Sequence, residues 1–386
     1  MEDLPVGVKV EVVEYGANQE DAIERLRESQ QEPPRRDELE DGDIVVAVMA
    51  TEIVWTDTVM ATGQYQHQAR VPYSPGMTYA GKVAYATEAA EAQGVRVGMR
   101  VAVASEGAGP RSLGRYQKWG GCASYAVAHH SHIRVFPEWW SYGEAASFAY
   151  GYETAYHCLV ECGRVTAGET ILINGATGGV GIPAVHLALM LGLTVIATTR
   201  SEKKVEFLKS LGVHHVVCLE SLPEGLPFYK RVKELTGGRG VDVAYDGVGG
   251  DVITLGSIRS LRFAGRLLIV GWASTPNVAA GGGRRGSPNA NKIPTNLIMM
   301  KSVRVIGCPA MIATKHDPTL APRRKKAITE WLLQGKLPPP TISAAFPLSQ
   351  VRQALLSRVH SGSQTGSTVC TLPPLPHPLW NGPSKL

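Results

Sequence analysis

The sequence has no CxxC pair, no long apolar run and no basic stripe, and each absence removes a class of function. Its six cysteines (Cys122, Cys158, Cys162, Cys218, Cys308, Cys370) are scattered through 386 residues, which argues for reduced thiols rather than a disulfide framework. No CxxC and no cluster of N/S ligands at metal-binding spacing is present, so no metal is expected. No stretch approaches the ~20 apolar residues of a membrane span, and Met1-Glu-Asp-Leu-Pro lacks the basic and apolar regions of a signal peptide. A protein without a membrane span, and not secreted, is expected. The net charge is +5, but Lys and Arg are dispersed, which fits an enzyme meeting anionic ligands and gives no reason to expect nucleic acid.

What is there is apolar residue in quantity, 44%, and enough chain for two domains. Residues 1–40 form a charged N-terminal segment; 19–31 is predicted as one exposed helix, a surface addition. The run Ile44-Val-Val-Ala-Val-Met-Ala50 reads as a buried strand, and short strand-like runs recur to about residue 140. From Gly151 onward strands alternate with helix-length segments, the signature of a parallel sheet. Strands are predicted at 170–173, 194–198, 215–218, 241–246, 266–271 and 302–307, enough for a whole dinucleotide fold. Beyond Pro309 a helix (323–333), a strand (342–346), a helix (350–358) and a final strand (368–372) are predicted to return to the first domain. The Gly281-Gly-Gly-Arg-Arg-Gly stretch reads as a loop, and 373–386 as a Pro-rich disordered tail.

The cofactor signal is Gly175-Ala176-Thr177-Gly178-Gly179-Val180-Gly181. It lies between a predicted strand and a predicted helix, where glycines let backbone approach a pyrophosphate and the helix N-terminus favours its charge. At the end of the next strand an Asp or Glu takes the ribose hydroxyls of NAD, whereas Arg favours the 2′-phosphate of NADP. Here Thr199, Arg200 and Lys204 stand there, pointing to NADPH; side-chain capping by Ser201 with solvated charges is the plainer reading. Val248, Gly271 and Trp272 end two later strands and are placed beside the ribose and nicotinamide.

These motifs, together with Gly63-Gln-Tyr65-Gln, Tyr73-Ser-Pro75-Gly76-Met-Thr-Tyr-Ala-Gly81, Glu144-Ala-Ala146, Thr154-Ala-Tyr-His, Asp246-Gly-Val-Gly-Gly and Pro294-Thr-Asn-Leu, resemble the quinone oxidoreductase branch of the zinc-independent medium-chain dehydrogenase/reductases. The resemblance covers approximately residues 41–372. It implies an α/β fold: a doubly wound Rossmann sheet at 146–308, a mainly β GroES-like catalytic domain from 41–145 with 309–372, and commonly a homodimer. Zinc-dependent relatives carry Cys where this chain has Val54-Trp-Thr-Asp57, and His-Glu at Gly76-Met-Thr78; the ligands are missing here. Related quinone reductases usually have Asn at the position of Val54 and sometimes Tyr at that of Val59. A Thr-Gly-Lys near the C-terminus is Thr365-Gly-Ser367 here.

The implied activity is NADPH-dependent hydride transfer to quinones or conjugated enones. Thr154 resembles the threonine beside the nicotinamide, Tyr65 is expected to hydrogen-bond the substrate, and Trp55 to form a flat wall; ordinary packing is the alternative for Tyr65 and Trp55. Two other readings stay open: a peroxisomal enoyl-CoA or 15-oxo-prostaglandin-type double-bond reductase, with Arg284 and Arg285 gripping a CoA phosphate, and a non-catalytic NADPH-binding protein. The histidines His129, His130 and His132 read as a surface turn, and Cys158 and Cys162, at i and i+4, as core. The terminal Ser384-Lys385-Leu386 matches the peroxisomal address read by an import receptor, so a eukaryotic source predicts a peroxisomal location and any other source a cytoplasmic one.

Overall fold

The computed structural model describes residues 4–65, 68–104, 107–112, 114–273, 292–360 and 364–376. The Gly281–Gly286 stretch with Arg284 and Arg285, the end of the tail and Ser384, Lys385 and Leu386 lie outside the described residues. The described residues divide into two units: those up to 150 together with those from 339 onward form one, and those between 151 and 338 the other.

In the second unit six strands form one parallel sheet: β1 Thr170–Asn174, β2 Thr194–Thr199, β3 His215–Cys218, β4 Val241–Asp246, β5 Leu261–Ile269 and β6 Arg304–Gly307. Their order is β3-β2-β1-β4-β5-β6, the doubly wound arrangement in which direction reverses between β1 and β4. Helices on both faces explain why the central strands are apolar runs rather than alternations. Leu172, Ile196, Ala244 and Leu267 are fully buried in one core with Phe228, Val232 and Ile258 from the helices.

The first unit is built on one long strand, Asp43–Ile53, in which every residue is buried. It pairs antiparallel with Tyr79–Ala86, Tyr125–His129 and Ser367–Thr371, so it needs partners from distant parts of the chain. Arg100–Val103 and Ile133–Arg134 extend the sheet beyond Tyr79–Ala86, and Ile342–Pro347 lies parallel to Ser367–Thr371.

Two expectations are corrected. The N-terminal segment is not a surface addition with one exposed helix. Gly7–Glu11 and Arg27–Gln31 form an antiparallel pair, with a short helix Gln19–Glu24 between them. Alternation in Val8-Lys9-Val10-Glu11-Val12 sends Val10 and Val12 inward and the charges outward. Val10, Val12, Ile23 and Leu26 join the same core as the long strand, and the amide of Gln31 exchanges two hydrogen bonds with the backbone of Tyr125. The segment 309–338 also belongs with the second unit, not the first. Its helix Leu320–Leu333 buries Arg324, which pairs with Glu161 at 3.4 Å.

Candidate active site

In the second unit the chain leaves β1 into the glycine turn and enters the helix Gly181–Met190. Gly175 has φ +73°, a conformation that disfavours other residues, and a Cβ on Gly181 would stand 2.0 Å from the Gly175 carbonyl oxygen. The turn is therefore closed so tightly that only glycine fits at Gly181. Gly178 is different: a Cβ there meets only that carbonyl, at 3.4 Å, so its outer side is open. Ala176 and Thr177 are buried, and Gly179 and Val180 are half-buried. A sealed inner side and an open outer side fit a backbone loop that receives a phosphate.

Behind the turn, buried Asn174 accepts from Thr198 Oγ1 and donates to Ser257 Oγ, both at 2.8 Å, tying the ends of β1 and β2 to the helix Gly250–Ser260. Asp246, at the end of β4, accepts from the N–H groups of Val248 and Gly249 and from Thr254. Those bonds shape the Asp246-Gly-Val-Gly-Gly bend and bring Val248 Cγ2 within 3.0 Å of where a Cβ on Gly175 would lie. Gly271 approaches the Gly247 carbonyl, and Trp272 is half-buried. The sequence reading of 175–181, Val248, Gly271 and Trp272 thus falls on one edge of the sheet, at the reversal; Asn174 and Asp246 were not singled out as supports.

At the end of β2, Thr199 is buried, Arg200 is exposed and Lys204 is half-buried. Ser201 makes no side-chain cap to the turn Glu202–Lys204; instead its backbone N–H meets Thr199 Oγ1 at 3.3 Å. The plainer reading of this segment as a side-chain-capped helix start is therefore not what forms. Thr154, half-buried, is in the helix Tyr142–Tyr156, which starts from a reciprocal Ser141/Glu144 cap.

Directly after that helix the backbone makes a π-helical turn, His157–Cys162. Its wider turn replaces the i, i+4 relation of Cys158 and Cys162 by an i, i+5 contact between His157 and Cys162 (3.3 Å), with Glu161 bonded to the other imidazole nitrogen at 2.6 Å. Burial opposes a charge on His157, but its bonds to Cys162 and Glu161 outweigh this and hold it above the usual imidazole value. The thiol of Cys162 is pushed up by its hydrogen bond with Cys308 and by burial, so it is a poor nucleophile.

In the first unit the short helix Trp55–Met60 follows the long strand, and Tyr65 comes one turn later. Trp55 and Tyr65 are half-buried. Sequence reasoning missed the polar side chains gathered near Tyr65. The guanidinium carbon of Arg111 lies 6.0 Å from the Tyr65 ring centre and 5.5 Å from that of Tyr150. The Tyr150 hydroxyl is 3.4 Å from Thr56 Oγ1. Asp57 accepts from the N–H groups of Val54 and Gly76 at 2.9 and 3.1 Å, and burial raises its pKa to about 6 against the pull of those bonds and of Arg111. Glu52, on the long strand, receives the Ser367 hydroxyl at 2.7 Å and leaves its second oxygen without a partner. Burial lifts it to about 8, so it is mostly neutral at pH 7. The Gly63 backbone, at φ +70°, packs on the Tyr15 ring, so the N-terminal segment supports the stretch that carries Tyr65.

His129, His130 and His132 lie at a single 3-10 turn, with the first two rings 4.3 Å apart. Among the described residues no group of three or more His, Cys, Asp or Glu could hold a metal ion, and no helix is long and apolar enough to cross a membrane.

Residues 40–138 match the alcohol dehydrogenase GroES-like domain, and residues 179–317 the domain described as zinc-binding dehydrogenase. The sequence is 30% identical over 325 residues to the quinone oxidoreductase-like protein 2 homolog of Nematostella vectensis, covering 83% of this chain and 80% of that protein. The chain belongs to the quinone oxidoreductase-like family of the medium-chain dehydrogenase/reductases. Among solved structures it is similar to a probable oxidoreductase from Mycobacterium abscessus, with a TM-score of 0.74, 27% identity and coverage of 95% of this chain and 99% of that one. A mycobacterial protein solved in complex with NADPH shares the fold at a TM-score of 0.74 and 24% identity, covering 95% of this chain and 99% of its own.

Proposed function

We propose that the protein is an NADPH-dependent reductase that delivers hydride to quinones or conjugated enones without a metal. The observation that carries this reading is the glycine turn at the sheet reversal, sealed at Gly181 and open at Gly178, with an exposed Arg200 at the end of the neighbouring strand. Val54-Trp-Thr-Asp57 and Gly76-Met-Thr78, the stretches where zinc-dependent relatives hold ligands, support the absence of a catalytic metal.

When bound, NADPH supplies the hydride, and the chain's task is to hold, orient and keep water away. The 175–181 turn would receive the pyrophosphate. Arg200, with Thr199 and Lys204, would take the 2′-phosphate, a recognition that an uncharged ribose hydroxyl does not repay. Thr154, Val248, Gly271 and Trp272 would border the ribose and nicotinamide. As an acceptor takes hydride, negative charge grows on its carbonyl oxygen, and the Tyr65 hydroxyl is the donor assigned to it; Trp55 offers a flat face.

The test is a spectrophotometric comparison of NADPH and NADH against 1,4-benzoquinone, 9,10-phenanthrenequinone, a medium-chain enone and crotonyl-CoA. Quinone-dependent oxidation that prefers NADPH supports the proposal. Turnover confined to crotonyl-CoA moves the assignment to a double-bond reductase, and tight NADPH binding with no turnover makes the protein a non-catalytic binder.

A further inference from the structure

Arg111 is 8% exposed, and its Nε is buried without a hydrogen-bond partner. Among the described residues it forms no ion pair or hydrogen bond. Its guanidinium carbon lies over the rings of Tyr65 and Tyr150, 6.0 and 5.5 Å from their centres. Asp57 is close enough to feel its charge, yet spends its oxygens on the N–H groups of Val54 and Gly76. Glu52, the carboxyl that acts on Asp57, receives the Ser367 hydroxyl and feels the charge of Arg358. A guanidinium taken out of water is costly unless an anion receives its planar fork, and two ring faces repay only part of that cost. Arg324, buried in the second unit, shows the usual solution, meeting Glu161 at 3.4 Å. Among the described residues Arg111 has no such partner, and its guanidinium lies over the ring of Tyr65, the residue assigned to the acceptor. Two phenol rings beside a fork of N–H donors suit a flat conjugated molecule with an anionic oxygen at its edge.

We propose that Arg111, between Tyr65 and Tyr150, is an anion-recognition site that selects flat conjugated acceptors bearing a fixed negative group, a carboxylate, a sulfonate or an ionised ring hydroxyl. The inference rests on the reductase reading for the role of that ligand as acceptor, but the binding site itself is tested without turnover.

The experiment titrates the full-length protein, by quenching of intrinsic fluorescence, with anthraquinone-2-sulfonate and with uncharged 2-(hydroxymethyl)anthraquinone. The wild type is expected to bind the sulfonate at least about tenfold more tightly, as one charge-assisted bidentate contact would give. Arg111→Met should erase that preference while affinity for the uncharged ligand changes less than about threefold, and Arg111→Lys, which keeps the charge but loses the planar fork, should fall between them. NADPH binding, assigned to the other unit, and the circular dichroism spectrum report whether each variant folds. Equal affinity of the wild type for the two anthraquinones overturns the inference even if no variant folds, as does a preference that survives in a folded Arg111→Met. Failure of NADPH-dependent turnover with neutral quinones counts against the reductase reading alone.

Discussion

Glu52 and Asp57 make the first unit sensitive to alkali. The Glu52 carboxyl ionises near 4.5 in an exposed setting and near 8 here, so between those values the folded protein keeps a proton that the unfolded chain has released. The contribution of Glu52 to stability therefore falls as pH rises through that window and levels off above it; Asp57, raised to about 6, adds a loss of the same sign at lower pH, opposed there by His186, which burial lowers to about 4. Urea denaturation at pH 5 and pH 9 should show wild type losing roughly 2–4 kcal/mol more than Glu52→Gln. Matching losses in the two proteins would show that Glu52 does not carry the effect. For the cofactor, Arg200→Ala should raise the KM for NADPH about 10- to 100-fold and leave that for NADH within about twofold, measured by steady-state kinetics. At this scale the sequence announced Arg200, because a strand end after a glycine turn is a known address. It hid Arg111, in a turn, and Tyr150, on a helix, which are 39 residues apart and share no local spacing; only the folded chain brings them together.

Among the elements, the glycine turn makes a prediction in which two similar changes behave differently. Gly181→Ala drives a methyl against the Gly175 carbonyl and should cost about 2–3 kcal/mol in a thermal or chemical melt, with loss of NADPH binding. Gly178→Ala meets nothing nearer than 3.4 Å, so stability should stay within about 1 kcal/mol while NADPH affinity, read by calorimetry, drops because the new methyl occupies the open side. Equal destabilisation by both would remove the distinction between the sealed and open sides. The N-terminal segment supplies the other case. Tyr15 donates to the Ala69 carbonyl and lies under Gly63, and Gln19 donates to Thr58 at 2.7 Å. Tyr15→Ala should therefore speed hydrogen exchange in residues 61–65 and leave exchange in the second unit unchanged. Composition concealed this role: charge averaged over 1–40 masks the two-residue alternation of 8–12, and a helical reading of 19–31 passes over the turn at Arg25. The π-helical turn at 157–162 was equally hidden, since periodicity assumes the ordinary pitch.

For the whole molecule, the parallel sheet was readable because its strands are short apolar runs punctuated by glycine, and all six fall close to their predicted places. The first unit was less so, because its central strand collects partners that no local pattern connects. Thr368 pairs with Ile53 and Cys370 with Thr51, so a chain ending at residue 338 leaves that edge open and its core incomplete. Such a truncation should lose the near-ultraviolet signature of the buried tyrosines Tyr73, Tyr79 and Tyr125 yet retain NADPH binding; an unchanged signature would mean that the sheet tolerates the missing strand. The same pairing bears on synthesis. Glu52 and Ser367 are 315 positions apart, and at the usual ~5–20 residues per second a ribosome needs roughly 15–60 s to pass from one to the other. Throughout that interval the longest strand among the described residues waits with one side unmatched while every residue of the second unit is made, so the nascent chain is vulnerable to aggregation until Ser367–Thr371 has emerged.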